Sequence, residues 1–173
     1  MTRGPQLPAH RVAIPALPEQ PSPTHTRLPA FNKASSAETH AILLACLHSE
    51  TWATRVATHR PYPTVDALLA AADEAAYDLT RGDLAEALAA ESMPTLPPET
   101  YAAAHMALSA AHAAYEAKFG HAFVIAATDL DDTLEAIRSR LLNDPEDERV
   151  VAAEELRELA KQRLVNALRG AGP

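Results

Sequence analysis

Residues 98–120 read PETYAAAHMALSAAHAAYEAKFG, and the fold class follows from this stretch. Tyr101, His105, Leu108, His112, Tyr115 and Phe119 recur at alternating steps of four and three residues. That spacing lines them along one face of an α-helix. Pro98 suits a first helical turn, where a missing N–H costs no intrahelical bond. Gly120 follows the last apolar residue, where a left-handed cap favours glycine. The spacing predicts one long helix from about Pro98 to Phe119 with an inward stripe that includes two histidines.

The same helical period extends towards the N-terminus. Ser35 or Ser36 is placed to cap a helix ending near Leu47, with Ile42, Leu43, Cys46 and Leu47 as its apolar residues. A short helix after Ser49 carries Trp52 and Val56. It stops before Arg60-Pro61, because a residue preceding proline is pushed out of the α region. Thr64 caps a helix bearing Val65, Leu68, Leu69 and Ala72, and Thr80 or Asp83 begins another through Leu84 and Leu88. Pro94, Pro97 and Pro98 make 93–98 a loop. On the C-terminal side, Phe123 to Ala127 is an apolar run whose period does not separate strand from helix. A helix from about Asp129 to Leu142 is broken by Asn143-Asp144-Pro145. The last helix runs from about Glu146 to Leu168, with Ala152, Leu156, Leu159 and Leu168 facing inward. The expected architecture is all-α, a bundle of about seven to nine helices over residues 30–170. Residues 1–29, with seven prolines, are expected to form an extended or disordered arm.

Composition narrows the function classes. Of the 173 residues, 47% are hydrophobic, enough to bury a core, and only five are glycine. The formal net charge of −8 gives no electrostatic footprint for a nucleic acid or an anionic membrane. No apolar run reaches the ~20 residues of a membrane span. The single cysteine, Cys46, permits no intrachain disulfide and reads as a buried thiol. These features lead us to expect a cytoplasmic protein. No zinc signature, phosphate-cradling glycine loop or dinucleotide fingerprint is present.

A few residues could carry chemistry. His105 and His112 lie about 10.5 Å apart along the helix axis, too far to chelate one metal unaided. Each is either a core histidine bonded to a neighbour or a proton carrier facing a pocket. Glu91 and Glu99 flank the proline loop at helix ends, where a carboxylate is either solvated or functional. Arg138 and Arg140 cannot share a helix face. Arg140 is the better anion clamp, with a salt bridge to Glu148 or Glu155 as the alternative.

A set of local motifs occurs in a characteristic order. Phe31-Asn32 is followed by Leu43-Leu44-Ala45-Cys46-Leu47-His48-Ser49, Trp52 and Arg60-Pro61-Tyr62. Asp83-Leu84-Ala85-Glu86-Ala87-Leu88 comes next, then the run from Tyr115 to Ile125. Arg140-Leu141-Leu142-Asn143, Glu148, Glu155 and Arg163-Leu164 close the series. In order and spacing this set resembles the decarboxylases of 2-oxo-4-hydroxy-4-carboxy-5-ureidoimidazoline (OHCU) over residues 31–168. The resemblance implies an all-α fold, often dimeric, with no metal or organic cofactor. It further implies a small ureide or imidazoline substrate and loss of CO2 to give (S)-allantoin, the last step from urate.

One loop departs from the family pattern. Where the family has Ala-His-Pro-Arg-Ile-Gly, this chain reads Ala90-Glu91-Ser92-Met93-Pro94-Thr95, so Glu91 stands at the position of the catalytic histidine. The family's Glu-Gln pair is Glu99-Thr100, and an asparagine before the tyrosine is His112. The resemblance thus assigns catalytic roles to Glu91, Glu99 and His112. Arg140, Thr100, Phe123 and Ile125 are its substrate-contacting positions. Two outcomes fit the altered loop: a decarboxylase with redistributed proton transfer, or a scaffold turned to another substrate or to binding alone.

Overall fold

The computed structural model describes residues 27–92, 102–126 and 130–170. Among these residues the chain forms eight helices and no strand, as the helical periodicity requires. α1 spans Leu28–Lys33, α2 Ser36–Cys46, α3 Glu50–Thr58 and α4 Val65–Tyr77. α5 spans Arg81–Ala89, α6 Ala102–Phe119, α7 Leu130–Arg140 and α8 Pro145–Arg169.

Local side-chain chemistry fixes most helix starts. Ser35 and Glu38 form a reciprocal capping box at α2, and Thr80 and Asp83 form another at α5. Ser49 and Thr64 cap α3 and α4 by accepting from the amides of Trp52 and Ala67. Asp144 accepts from the amides of Glu146 and Asp147, and Pro145 occupies the first turn of α8. Gly120 and Gly170 follow α6 and α8 with φ of 79° and 81°, a region that L-residues adopt at a cost.

α2, α3, α4 and α8 each pack against two of the others and close a ring. Leu43, Leu47, Trp52, Leu68, Leu156 and Leu164 fill its centre. The Trp52 indole N–H donates to the Ala72 carbonyl at 2.8 Å, which satisfies the one polar atom of a fully buried ring. The motifs around Phe31-Asn32 and Arg60-Pro61-Tyr62 interlock beneath this ring. Asn32 donates to the Tyr62 carbonyl at 2.8 Å and accepts from its amide at 2.9 Å. Arg60 binds the carbonyls of Phe31 and Ala34 at 2.9 and 3.0 Å. These motif residues hold the scaffold together.

α6 packs against α7 around a second cluster of Leu108, Tyr115, Phe123 and Ile137. α8 serves both clusters. Its buried residues are Glu148, Ala152, Leu156, Ala160, Leu164 and Leu168, each four positions from the last. A four-residue step overshoots one helical turn by about 40°, so the buried line winds about 200° from end to end. Glu148 therefore meets the second cluster and Leu168 meets α1, where the Leu168 carbonyl accepts from the Arg27 amide at 2.8 Å.

Two expectations change. α1 begins at Leu28, inside the proposed arm; Pro29 falls in its first turn, where proline is tolerated, and Leu28 is buried. The ambiguous run is neither helix nor strand from Ala122 to Ile125. Arg140 donates to the Val124 carbonyl at 2.7 Å and Glu155 accepts from the Ala126 amide at 2.8 Å, so side chains satisfy what a helix would have satisfied internally. Leu159 is half-buried and packs against the core beside the fully buried line of α8, which passes through Ala160. The expected start of α6 at Pro98 and the loop over 93–98 lie outside the described residues.

Candidate active site

Glu91 follows the C-terminal end of α5, its amide bonded to the Leu88 carbonyl at 3.3 Å. A carboxylate beside the carbonyl end of a helix is electrostatically disfavoured and needs a compensating cation. Arg163 of α8 supplies it with a two-pronged contact, Nη1 to Oε1 at 2.7 Å and Nη2 to Oε2 at 2.8 Å. The Glu91 side chain is 4% exposed and that of Arg163 is 34% exposed. The hydrogen bond it donates to Glu91 holds the guanidinium above its ordinary pKa, against the opposing effect of burial. Arg163 Nη1 also donates to the Cys46 carbonyl at 3.2 Å, which ties the end of α2 into the cluster. His48 stands on the turn after α2, with Nδ1 4.0 Å from Glu91 Oε1. Position 91 is thus a buried carboxylate bound to a partly accessible guanidinium, with a histidine alongside.

His112 is set apart from this cluster. Its side chain is 1% exposed, edge-on to Phe123 at 5.8 Å between ring centres. Among the described residues neither ring nitrogen has a hydrogen-bond partner. Burial lowers its pKa below 6.5, opposed by the charge of Glu116. No hydrogen bond or ion pair among the described residues joins His112 to Glu91. His105, one heptad earlier, is half-buried.

Arg140 takes the salt-bridge alternative. Its Nε and Nη2 donate to Glu148 Oε1 at 2.8 and 2.5 Å, and its Nη1 is held by Val124. Tyr115 donates its hydroxyl to the same Glu148 oxygen, and Asn143 donates to Oε2 at 2.8 Å. Burial, followed by the bond to Glu148, raises the pKa of the Tyr115 phenol. All three guanidinium nitrogens of Arg140 are engaged inside the protein, as the salt-bridge alternative expects. Phe123 is fully buried, 4.4 Å from the Arg140 guanidinium carbon, and Ile125 is half-buried beside the same cluster. Phe123 packs against Arg140, and Ile125 packs against the second cluster. Along α8, Glu148 and Arg163 are about 22 Å apart, so the Arg140 network and the Glu91 cluster lie at well-separated points of that helix. Glu99 and Thr100 lie outside the described residues. Among the described residues no group of three or more His, Cys, Asp or Glu is placed to hold a metal ion.

Sequence reasoning singled out Glu91 and missed its partners. His48 and Arg163 were visible within motifs but carried no role, since 43 and 72 residues separate them from Glu91. Only the α2–α3 turn and the pitch of α8 bring them together.

The model of the OHCU decarboxylase family matches residues 32–97 and 91–165. The chain belongs to the OHCU decarboxylase family. The two matched segments overlap over residues 91–97. No curated protein matches this family member in sequence. Among solved structures it is similar to an OHCU decarboxylase crystallised in the presence of (S)-allantoin, with a TM-score of 0.67 at 23% identity over 78% of this chain and 99% of that one. It is also similar to an (S)-allantoin synthase, with a TM-score of 0.65 at 23% identity. That match covers 82% of this chain and 54% of the synthase, so the family member spans about half the length of that relative. At this identity the likeness establishes the fold. Among the described residues no helix is long and apolar enough to cross a membrane.

Proposed function

We propose that the chain is a carboxy-lyase that acts without a cofactor on OHCU or a closely related ureido-imidazoline, forming (S)-allantoin during urate breakdown. The observation that carries this reading is the Glu91–Arg163 pair, a buried carboxylate and a partly exposed guanidinium at the family's catalytic position. Arg163 offers a planar cation to a substrate carboxylate or to a ring oxygen that gains charge. The carbon–carboxylate bond breaks, CO2 leaves, and the electron pair stays on a ring carbon flanked by electron-withdrawing groups. A proton delivered to one face of that carbon completes the product and sets its configuration.

The test is to generate OHCU in situ from urate and follow (S)-allantoin by circular dichroism. Acceleration over the spontaneous rate is expected. Glu91→Gln is expected to slow the reaction. A chain that adds nothing to the spontaneous rate refutes the proposal. We also propose Glu99 as a catalytic residue and Thr100 as a substrate-binding residue, as the family's Glu-Gln pair implies. We further propose a cytoplasmic homodimer, for which sedimentation should give twice the 18.5 kDa chain mass.

One observation favours a second reading. Arg163 already holds a carboxylate, that of Glu91, so a substrate carboxylate must compete with it. A neutral ureide would face no such competition. A thermal-shift series with allantoin, other neutral ureides and carboxylated analogues separates the two, since only the second reading predicts stabilisation by neutral ligands alone.

A further inference from the structure

The family's catalytic imidazole is missing at position 91, and the turn between α2 and α3 brings another one beside it. Leu47 and Ser49 both have extended backbone, with φ and ψ of −149° and 120° and of −140° and 115°. Successive side chains on extended backbone point to opposite sides. Leu47 and Ser49 are buried, so the residue between them turns outward, and the His48 side chain is 49% exposed. Its Nδ1 faces Glu91 Oε1 at 4.0 Å. Among the described residues neither ring nitrogen of His48 has a hydrogen-bond partner.

The spacing between His48 and Glu91 is built in. One guanidinium, Arg163, binds the Glu91 carboxylate through two nitrogens and the Cys46 carbonyl at the start of the turn. It clamps the end of α5 to the end of α2 and so holds the carboxylate and the imidazole at a set separation. Both Glu91 oxygens accept from Arg163, so a proton arriving on either would displace a charge-assisted hydrogen bond. The His48 imidazole has no such commitment.

We propose that His48 is the proton donor of this family member, taking over the role of the lost histidine, with Glu91 as a positioning residue held by Arg163. The assignment rests on the decarboxylase reading above. In the reaction, the carbon–carboxylate bond breaks and CO2 departs, leaving the electron pair on the ring carbon. Protonated His48 gives its proton to that carbon, a C–H bond forms, and the neutral imidazole regains a proton from water. One proton is consumed for each CO2 released.

The experiment compares wild type with His48→Gln, His48→Ala and His59→Gln in the coupled urate assay. His59 is an exposed histidine bonded to the Arg55 carbonyl at 2.8 Å and serves as the control. His48→Gln is expected to lower kcat by about 100-fold or more with little change in KM, the usual scale for a lost general acid. Added imidazole is expected to restore part of the rate to His48→Ala and none to Glu91→Gln, a response that a purely structural role for His48 would not produce. Melting temperatures within about 2 °C of wild type, as exposed substitutions give, show that the His48 variants are folded. An active wild type with an equally active His48→Gln overturns the assignment and leaves the decarboxylase reading standing. So does a folded, inactive His48→Ala that imidazole does not rescue. An inactive wild type overturns both.

Discussion

Glu148→Ala should show that Arg140 braces the fold. Glu148 is fully buried and accepts from Arg140, Tyr115 and Asn143. Its removal leaves the Arg140 guanidinium, 8% exposed, without a counter-ion. Stranding one member of a buried ion pair costs about 3–5 kcal/mol. The Tyr115 O–H, left without its acceptor, adds about 1 kcal/mol. For a chain of this length each kcal/mol lowers Tm by about 2–4 °C, so the expected fall is about 8–24 °C. The double variant Arg140→Met/Glu148→Leu leaves no charge behind and should recover more than half of the loss, because apolar replacements of a buried pair are well tolerated. Urea unfolding followed by far-ultraviolet circular dichroism measures all three proteins and, for a double-mutant cycle, the singles Arg140→Met and Glu148→Leu. The bracing role is refuted if Glu148→Ala costs less than about 1 kcal/mol, the scale of a single ordinary hydrogen bond. It is equally refuted if Arg140→Met leaves stability intact while raising KM, the behaviour of a substrate clamp.

Three further outcomes are expected. His112 has a lowered pKa in the folded chain, so between 6.5 and that lower value the unfolded chain binds the extra proton and stability falls as the pH drops; His112→Leu should flatten this slope in urea melts between pH 7 and pH 5. Burial pushes the Cys46 thiol up to about 11, opposed by the charge of Arg163, so at pH 8 a disulfide reagent such as DTNB should label it only on unfolding; fast labelling of the native chain would contradict its burial. Thr80→Ala removes the α5 cap and should cost about 1 kcal/mol in the same melts, with no change in kcat under the decarboxylase reading.

The parts of the fold that were legible are those set by neighbours in the chain. A cap such as Ser35 or Thr80 acts over three residues, and the start of α8 at Asp144-Pro145 is equally local. The Arg140–Glu148 bridge was one of two open alternatives because its partners are eight residues apart. What long-range packing decides was not legible. The irregular run after Gly120 has backbone groups bound by Arg140 and Glu155, side chains from other elements. The partners of Glu91 come from helices far away in sequence. The stripe on α6 placed His112 inward correctly, yet periodicity alone cannot show that its nitrogens lack partners among the described residues.

The winding line on α8 makes the length of that helix a constraint in its own right. Deleting or inserting one residue near its middle would rotate everything beyond by about 100°. Glu148 could then still face Tyr115, but Leu164 and Leu168 would swing out of the four-helix ring, or the reverse. Arg163 would turn with them and release Glu91 and the Cys46 carbonyl together. Outward substitutions on α8 should be absorbed singly, whereas a change of one residue in its length should disable the core and the candidate site in the same step. In this sense α8 behaves as a gauge rod: it sets the angular relation between two cores and a guanidinium, and no local repacking can restore that relation once the count is wrong.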